Sequence, residues 1–176
     1  LGVPYPCPSH TPDTNIYIQK MCAEMRNKMK ITEVLKSDKV TLSMEVFPPK
    51  TTTAAEKVNE AVRDIAALKP HFMSVTYGAA GGGTSKYTIQ IAKDIKDAYG
   101  VNSLAHLTCL SSTKETVEKQ ITLMKEAGIE NILALRGDIP KETEFPLPGQ
   151  FHYAAELVRE IKRIAPEMCI GGACYP

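Results

Sequence analysis

Four times in succession the chain follows a short apolar run with turn residues and then an amphipathic segment. This order limits the possible folds more than any other feature. TLSMEVF (41–47) is rich in strand formers and is closed by Pro48 and Pro49, which cannot continue a ladder. A helix is predicted over about residues 53–68, with Val58, Ala61, Val62, Ile65 and Leu68 on one face. HFMSVTY (71–77) reads as the second strand, followed by GAAGGG (78–83) and a helix carrying Ile91, Ala92, Ile95 and Ala98, with Gly100 at its C-cap. SLAHLTC (103–109) is the third strand. Ser112 and Glu115 then fit a capping box for a helix showing Val117, Ile121, Met124 and Ala127, stopped by Gly128. NILALR (131–136) is the fourth strand, and the loop GDIPKETEFPLPGQ leads to a helix with Ala154, Leu157, Val158, Ile161 and Ile164. MCIGGACYP (168–176) opens a fifth strand.

Apolar strands that alternate strictly with helices imply a parallel sheet covered by helices, here repeating about every 30 residues. Two architectures satisfy that pattern, a five-stranded doubly wound sheet and part of an eight-stranded (β/α)8 barrel, and periodicity alone leaves both open. Polar residues gather where either would place a site. Glu45, Thr76, His106, Thr108 and Asp138 all fall within or just beyond the C-terminal half of a predicted strand, at the edge where parallel α/β folds bind ligands.

Composition narrows the classes of function. With 21 basic against 20 acidic residues and no basic block, the chain offers no general nucleic-acid surface. No apolar run approaches the roughly 20 residues of a membrane helix. LGVPYPCPSH has neither region of a secretory signal and begins with Leu, so the chain is expected to be processed or a fragment of a longer reading frame. Residues 1–28 read as a flexible or non-native N-terminal extension, with Met29 as a plausible natural start, because MKITEVLK begins a short amphipathic helix. The 5 cysteines, Cys7, Cys22, Cys109, Cys169 and Cys174, form an odd set without framework spacing, which points to a reducing cytoplasm. Cys7, His10 and Cys22 lack the fourth ligand of a structural zinc site, so no metal is expected. Arg136-Gly137-Asp138 spells an adhesion tripeptide, but it abuts a buried strand rather than lying on an exposed loop.

Several features are candidates for chemistry. Glu45 interrupts LSMEVF, and its apolar neighbours are expected to desolvate it, an environment suited to proton transfer. Asp138 lies one glycine beyond the fourth strand, where it could face a ligand; Arg136 reads as its salt-bridge partner, a phosphate clamp or a barrel-interior charge, the last two about equally. His106, from its position alone, reads as a hydrogen-bonded core histidine. GAAGGG could let backbone N–H groups approach a ligand, but it has neither the P-loop nor the dinucleotide fingerprint.

Taken together, SMEVFPPK (43–50), FMSVTYGA (72–79), LAHLTC (104–109), LALRGDIP (133–140) and YAAELV (153–158) resemble, in this order and spacing, the methylenetetrahydrofolate reductases. The resemblance runs from about residue 30 to the end and implies a (β/α)8 barrel binding FAD at its C-terminal face, of which about the first four and a half units are present. It implies that Glu45 supplies a proton to the folate as its methylene bridge opens. It places Asp138 beside the flavin and the pterin, Thr76 at the reactive edge of the isoalloxazine, and Tyr77 and Ala79 in the same pocket. His106, Arg136, Gly137, Ala154 and Tyr175 correspond to FAD-contacting positions, which moves His106 from the core to the site. The implied reaction passes hydride from NADH or NADPH through FAD to methylenetetrahydrofolate, in a cytoplasmic enzyme of one-carbon and methionine metabolism that is a homo-oligomer at full length. A barrel ending after its fifth strand leaves parallel edges unpaired, so this chain alone is expected to bind FAD weakly or not at all and to aggregate. An inactive truncated gene product and a small five-stranded binding module remain as alternatives.

Overall fold

The computed structural model describes residues 29–49, 51–77, 84–110, 112–139 and 149–174. The N-terminal extension with Cys7, His10 and Cys22, the GAAGGG segment with Ala79, and Tyr175 lie outside the described residues.

After a single helical turn, α1 (Ile31–Val34), the chain alternates as the apolar pattern requires. It runs through β1 (Ser43–Val46), a 3-10 turn (Thr52–Ala54) leading into α2 (Ala55–Ala67), β2 (Phe72–Val75) and α3 (Thr84–Asp97). It continues with β3 (Asn102–Thr108), α4 (Lys114–Glu126), β4 (Asn131–Leu135), α5 (Ala154–Ile164) and β5 (Cys169–Gly172). Gly100 and Gly128 follow α3 and α4 at φ +66° and +71°, the left-handed conformation expected of a glycine stop. One cap differs from expectation. Thr113, not Ser112, begins α4, its hydroxyl accepting from the Thr116 amide at 3.3 Å, while Ser112 is buried one residue earlier. Both residues can cap a helix, and local sequence does not fix which adopts the extended backbone at the turn.

All five strands are parallel and pair in the order β1-β2-β3-β4-β5. That order resolves the ambiguity left by periodicity. A doubly wound sheet reverses direction partway across, so that helices cover both faces. Here every strand adds beside its immediate predecessor, and each of the helices α2 to α5 packs against the next. This is the winding of a (β/α)8 barrel, and the five strands form an arc of its wall.

Side chains alternate across that wall with the period of two that strands impose. Met73, Val75, Ala105, Leu107, Ile132 and Ala134 point toward the helices and are fully buried. They meet Val62 and Ala66 of α2, Ile91, Ala92 and Ile95 of α3, Val117, Ile121 and Met124 of α4, and Leu157 and Ile161 of α5 in one continuous core. At the N-terminal end of the strands, buried Asn131 ties three segments together. Its Oδ1 accepts from the Ile31 amide at 2.8 Å and its Nδ2 donates to the Ser103 carbonyl at 3.1 Å. The single turn of α1 is held by this bond and by burial of Ile31 and Val34 rather than by helix propensity, which cannot sustain four residues.

Candidate active site

The C-terminal ends of the strands gather the polar residues into two neighbouring groups. The first lies on β1 to β3, on the face turned away from the helices. Glu45 and Ser74 stand opposite each other in register, and Ser74 Oγ donates to Glu45 Oε2 at 3.3 Å. His106, from β3, brings Nε2 to 3.5 Å of the same oxygen. His106 is buried (8% exposed), and that burial pushes its proton affinity below the ordinary histidine value despite the opposing pull of Glu45. The imidazole is therefore neutral at pH 7, and its contact with Glu45 is a polar approach rather than an ion pair.

The expectation that Glu45 is desolvated is not met. Its side chain is 47% exposed, because it projects from the open side of the arc while its neighbours Met44 and Val46 turn toward the helices. Apolar neighbours in sequence occupy the opposite face of a strand, so they do not bury the residue between them.

Thr76 lies just beyond β2. Its amide donates to the Val46 carbonyl at 3.1 Å, and its own carbonyl accepts from the buried Thr88 hydroxyl of α3 at 2.9 Å. Tyr77 is half-buried against the core.

The second group surrounds a cavity of about 430 Å³ between the ends of β4 and β5 and the start of α5, lined by Arg136, Gly137, Asp138, Tyr153 and Ala154, among others. The turn leaving β4 is fixed from β3. The Leu110 amide donates to the Arg136 carbonyl at 2.9 Å, and the Cys109 thiol reaches the same oxygen at 3.7 Å. Burial raises the Cys109 pKa to about 11, so it remains a thiol here rather than a reactive thiolate. Gly137 has φ +89°, and a Cβ there would sit 3.2 Å from Leu110 Cβ and 3.3 Å from Thr108 Cβ. Both conformation and space call for glycine, which explains why the strand ends on Arg-Gly-Asp. Arg136 and Asp138 are exposed. Arg136 Nε donates to the Gly137 carbonyl at 3.3 Å, and no ion pair with Asp138 forms among the described residues. On the far side, Glu156 Oε2 accepts from the amides of His152 and Tyr153 at 2.6 and 3.4 Å, fixing where α5 begins. These amide bonds hold the Glu156 carboxyl below the usual range.

The structure thus places Arg136, Gly137, Asp138 and Ala154 at one cavity, and Glu45 with His106 in a separate polar cluster; among the described residues no hydrogen bond or ion pair joins the two. Sequence reading missed Ser74 and Thr88. Ser74 had a usable signal, since it shares a strand face with Thr76 at a spacing of two. Thr88 had none, being a buried helix residue whose partner is a backbone carbonyl on another element.

The family model for methylenetetrahydrofolate reductase matches residues 30–176. Methylenetetrahydrofolate reductase 2 of Schizosaccharomyces pombe is 38% identical over 138 residues, covering 76% of this chain and 21% of that protein. The 5,10-methylenetetrahydrofolate reductase of Pectobacterium carotovorum is 37% identical over 138 residues, covering 78% of this chain and 44% of that one. A probable methylenetetrahydrofolate reductase (NADH) of Oryza sativa is 35% identical over 135 residues, covering 76% of this chain and 23% of the rice protein. The chain therefore spans less than half the length of these relatives, and on both the family match and their identity it belongs to the methylenetetrahydrofolate reductase family.

Proposed function

We propose that this chain carries part of a cytoplasmic active site in which 5,10-methylenetetrahydrofolate is reduced to 5-methyltetrahydrofolate by NADH or NADPH through bound FAD, in a protein that is a homo-oligomer at full length. The observation that carries the reading is the convergence of Arg136, Gly137, Asp138 and Ala154 on one cavity of about 430 Å³ at the C-terminal edge of the sheet. The residues present suit part of such a cofactor. An exposed guanidinium and the positive end of an 11-residue helix attract a diphosphate. The small side chains of Ala154 and Ala173 leave a flat wall for an aromatic ring. When bound, FAD supplies the two-electron carrier between nicotinamide and folate.

The chain's own residues do the remaining work. Asp138 would supply a carboxylate to the bound ring and pterin. Thr76 would supply its hydroxyl to the flavin, with its backbone held by Thr88. Glu45 delivers a proton to the folate nitrogen released as the methylene bridge opens, and its exposure on the open face leaves it accessible to substrate. Neutral His106 places no positive charge beside that proton donor at pH 7. Tyr77, with Ala79 and Tyr175 from the family motifs, completes the cofactor-contacting set.

The test is the visible spectrum of the purified chain after incubation with FAD and desalting, before and after anaerobic NADH, together with an FAD fluorescence titration. Flavin absorbance that bleaches with NADH and returns with methylenetetrahydrofolate supports the full reading. Weak quenching that Arg136→Ala weakens about tenfold supports the cofactor site, in line with the loss of one charge-assisted contact. An Arg136→Ala change that leaves FAD affinity unaltered in a full-length family member overturns the reading.

A further inference from the structure

The open face of β2 carries a polar residue with no role assigned above. Ser74 is buried (8% exposed), stands opposite Glu45 in the β1–β2 register and donates from Oγ to Glu45 Oε2 at 3.3 Å. His106 Nε2 approaches that same oxygen at 3.5 Å. Both contacts fall on Oε2, and Oε1 has no hydrogen-bond partner among the described residues. A half-exposed glutamate has several rotatable bonds, so a carboxylate without anchors samples many positions. Proton transfer requires the donor oxygen within hydrogen-bond reach of the acceptor, which places a premium on holding it still.

We propose that Ser74 is a positioning residue for Glu45, holding Oε2 against the sheet so that Oε1 carries and delivers the proton. A hydroxyl donates to the carboxyl oxygen that lacks the hydrogen, so the contact also selects which oxygen bears it in the neutral acid. The inference rests on the proton-donor role given to Glu45 above.

The experiment is the NMR titration of the His106 imidazole in the 176-residue chain, which requires no cofactor and no turnover. Glu45 is the charge that pulls His106 toward holding its proton, against burial. Replacing it in Glu45→Gln lowers the His106 midpoint. Ser74→Ala frees the carboxylate to swing away and is expected to reproduce about half of that drop, a few tenths of a pH unit. Ser74→Thr keeps the hydroxyl and restores the wild-type midpoint, and Ser74→Cys, a weaker donor of similar size, gives a smaller drop than alanine. A midpoint unchanged or raised in Ser74→Ala, beside a drop in Glu45→Gln, overturns the positioning role and leaves the site reading intact. A midpoint that Glu45→Gln does not move overturns the Glu45–His106 pairing itself, and the site reading with it.

Discussion

The two faces of the same five strands have opposite characters. On the face toward the helices, Met73, Val75, Ala105, Leu107, Ile132 and Ala134 are all fully buried and apolar. On the other face, one residue away along each strand, stand Glu45, Ser74 and His106, with half-buried Leu104 and Leu133 beside them. A strand's period of two lets one short segment serve a packed core and a reactive surface together, because neighbours in sequence never share an environment. The helix-facing side accordingly carries the packed core of the described residues, and the other side carries the polar cluster of Glu45, Ser74 and His106.

Breaking that division should be most damaging on the helix-facing side. Leu107→Ala leaves a cavity in the core between sheet and helices and should cost about 2–5 kcal/mol by urea unfolding. Gly137→Ala comes next, with an expected loss of about 1–3 kcal/mol from a left-handed backbone and contact with Leu110. Because that turn lines the cavity, FAD quenching should weaken with it; unchanged quenching would detach Gly137 from the cofactor site. Asn131→Ala removes the bridge between α1 and the sheet and should cost about 1–3 kcal/mol, with faster amide exchange confined to Ile31 and its neighbours.

A smaller effect depends on pH. His106 holds its proton less readily when folded than when unfolded, so its contribution is complete above the ordinary histidine value of about 6.5 and is lost as pH falls from there to the folded midpoint. Glu156, whose affinity is also lowered but from the carboxylate range, holds its contribution until more acidic pH. Melting temperature should therefore fall in two steps on acidification, and His106→Gln should remove the one nearer neutrality. The smallest stability change belongs to Glu45→Gln, under about 0.5 kcal/mol for a half-exposed side chain. The same substitution should abolish folate reduction in a full-length family member; a loss of stability comparable to that of Leu107→Ala would show that the open face carries the fold after all.

Much of this was legible beforehand. Each predicted strand and helix exists; most strands are shorter than the apolar run because hydrogen bonding stops first, whereas β3 starts one residue earlier than predicted, at Asn102. Glu45, His106 and the Arg136-Gly137-Asp138 turn were visible as polar residues ending apolar runs, a conflict that a core strand does not tolerate without a reason. Less legible was His106, which is both things its sequence suggested: buried like a core histidine, and within reach of the carboxylate like a site residue.

The sequence by itself determined the local states, because the period of two or 3.6 is written into which residues are apolar. It determined the chain reversals through Gly100 and Gly128, and the family through five motifs in order. Tertiary structure alone decided which strand lies beside which, and so whether the helices cover one face or two. It also decided that Ser74 meets Glu45, that Thr88 holds Thr76, and that the carboxylate sits on an open surface rather than among its apolar neighbours. Those outcomes depend on partners about 12 to 60 residues away, and no local pattern encodes the register that brings them together.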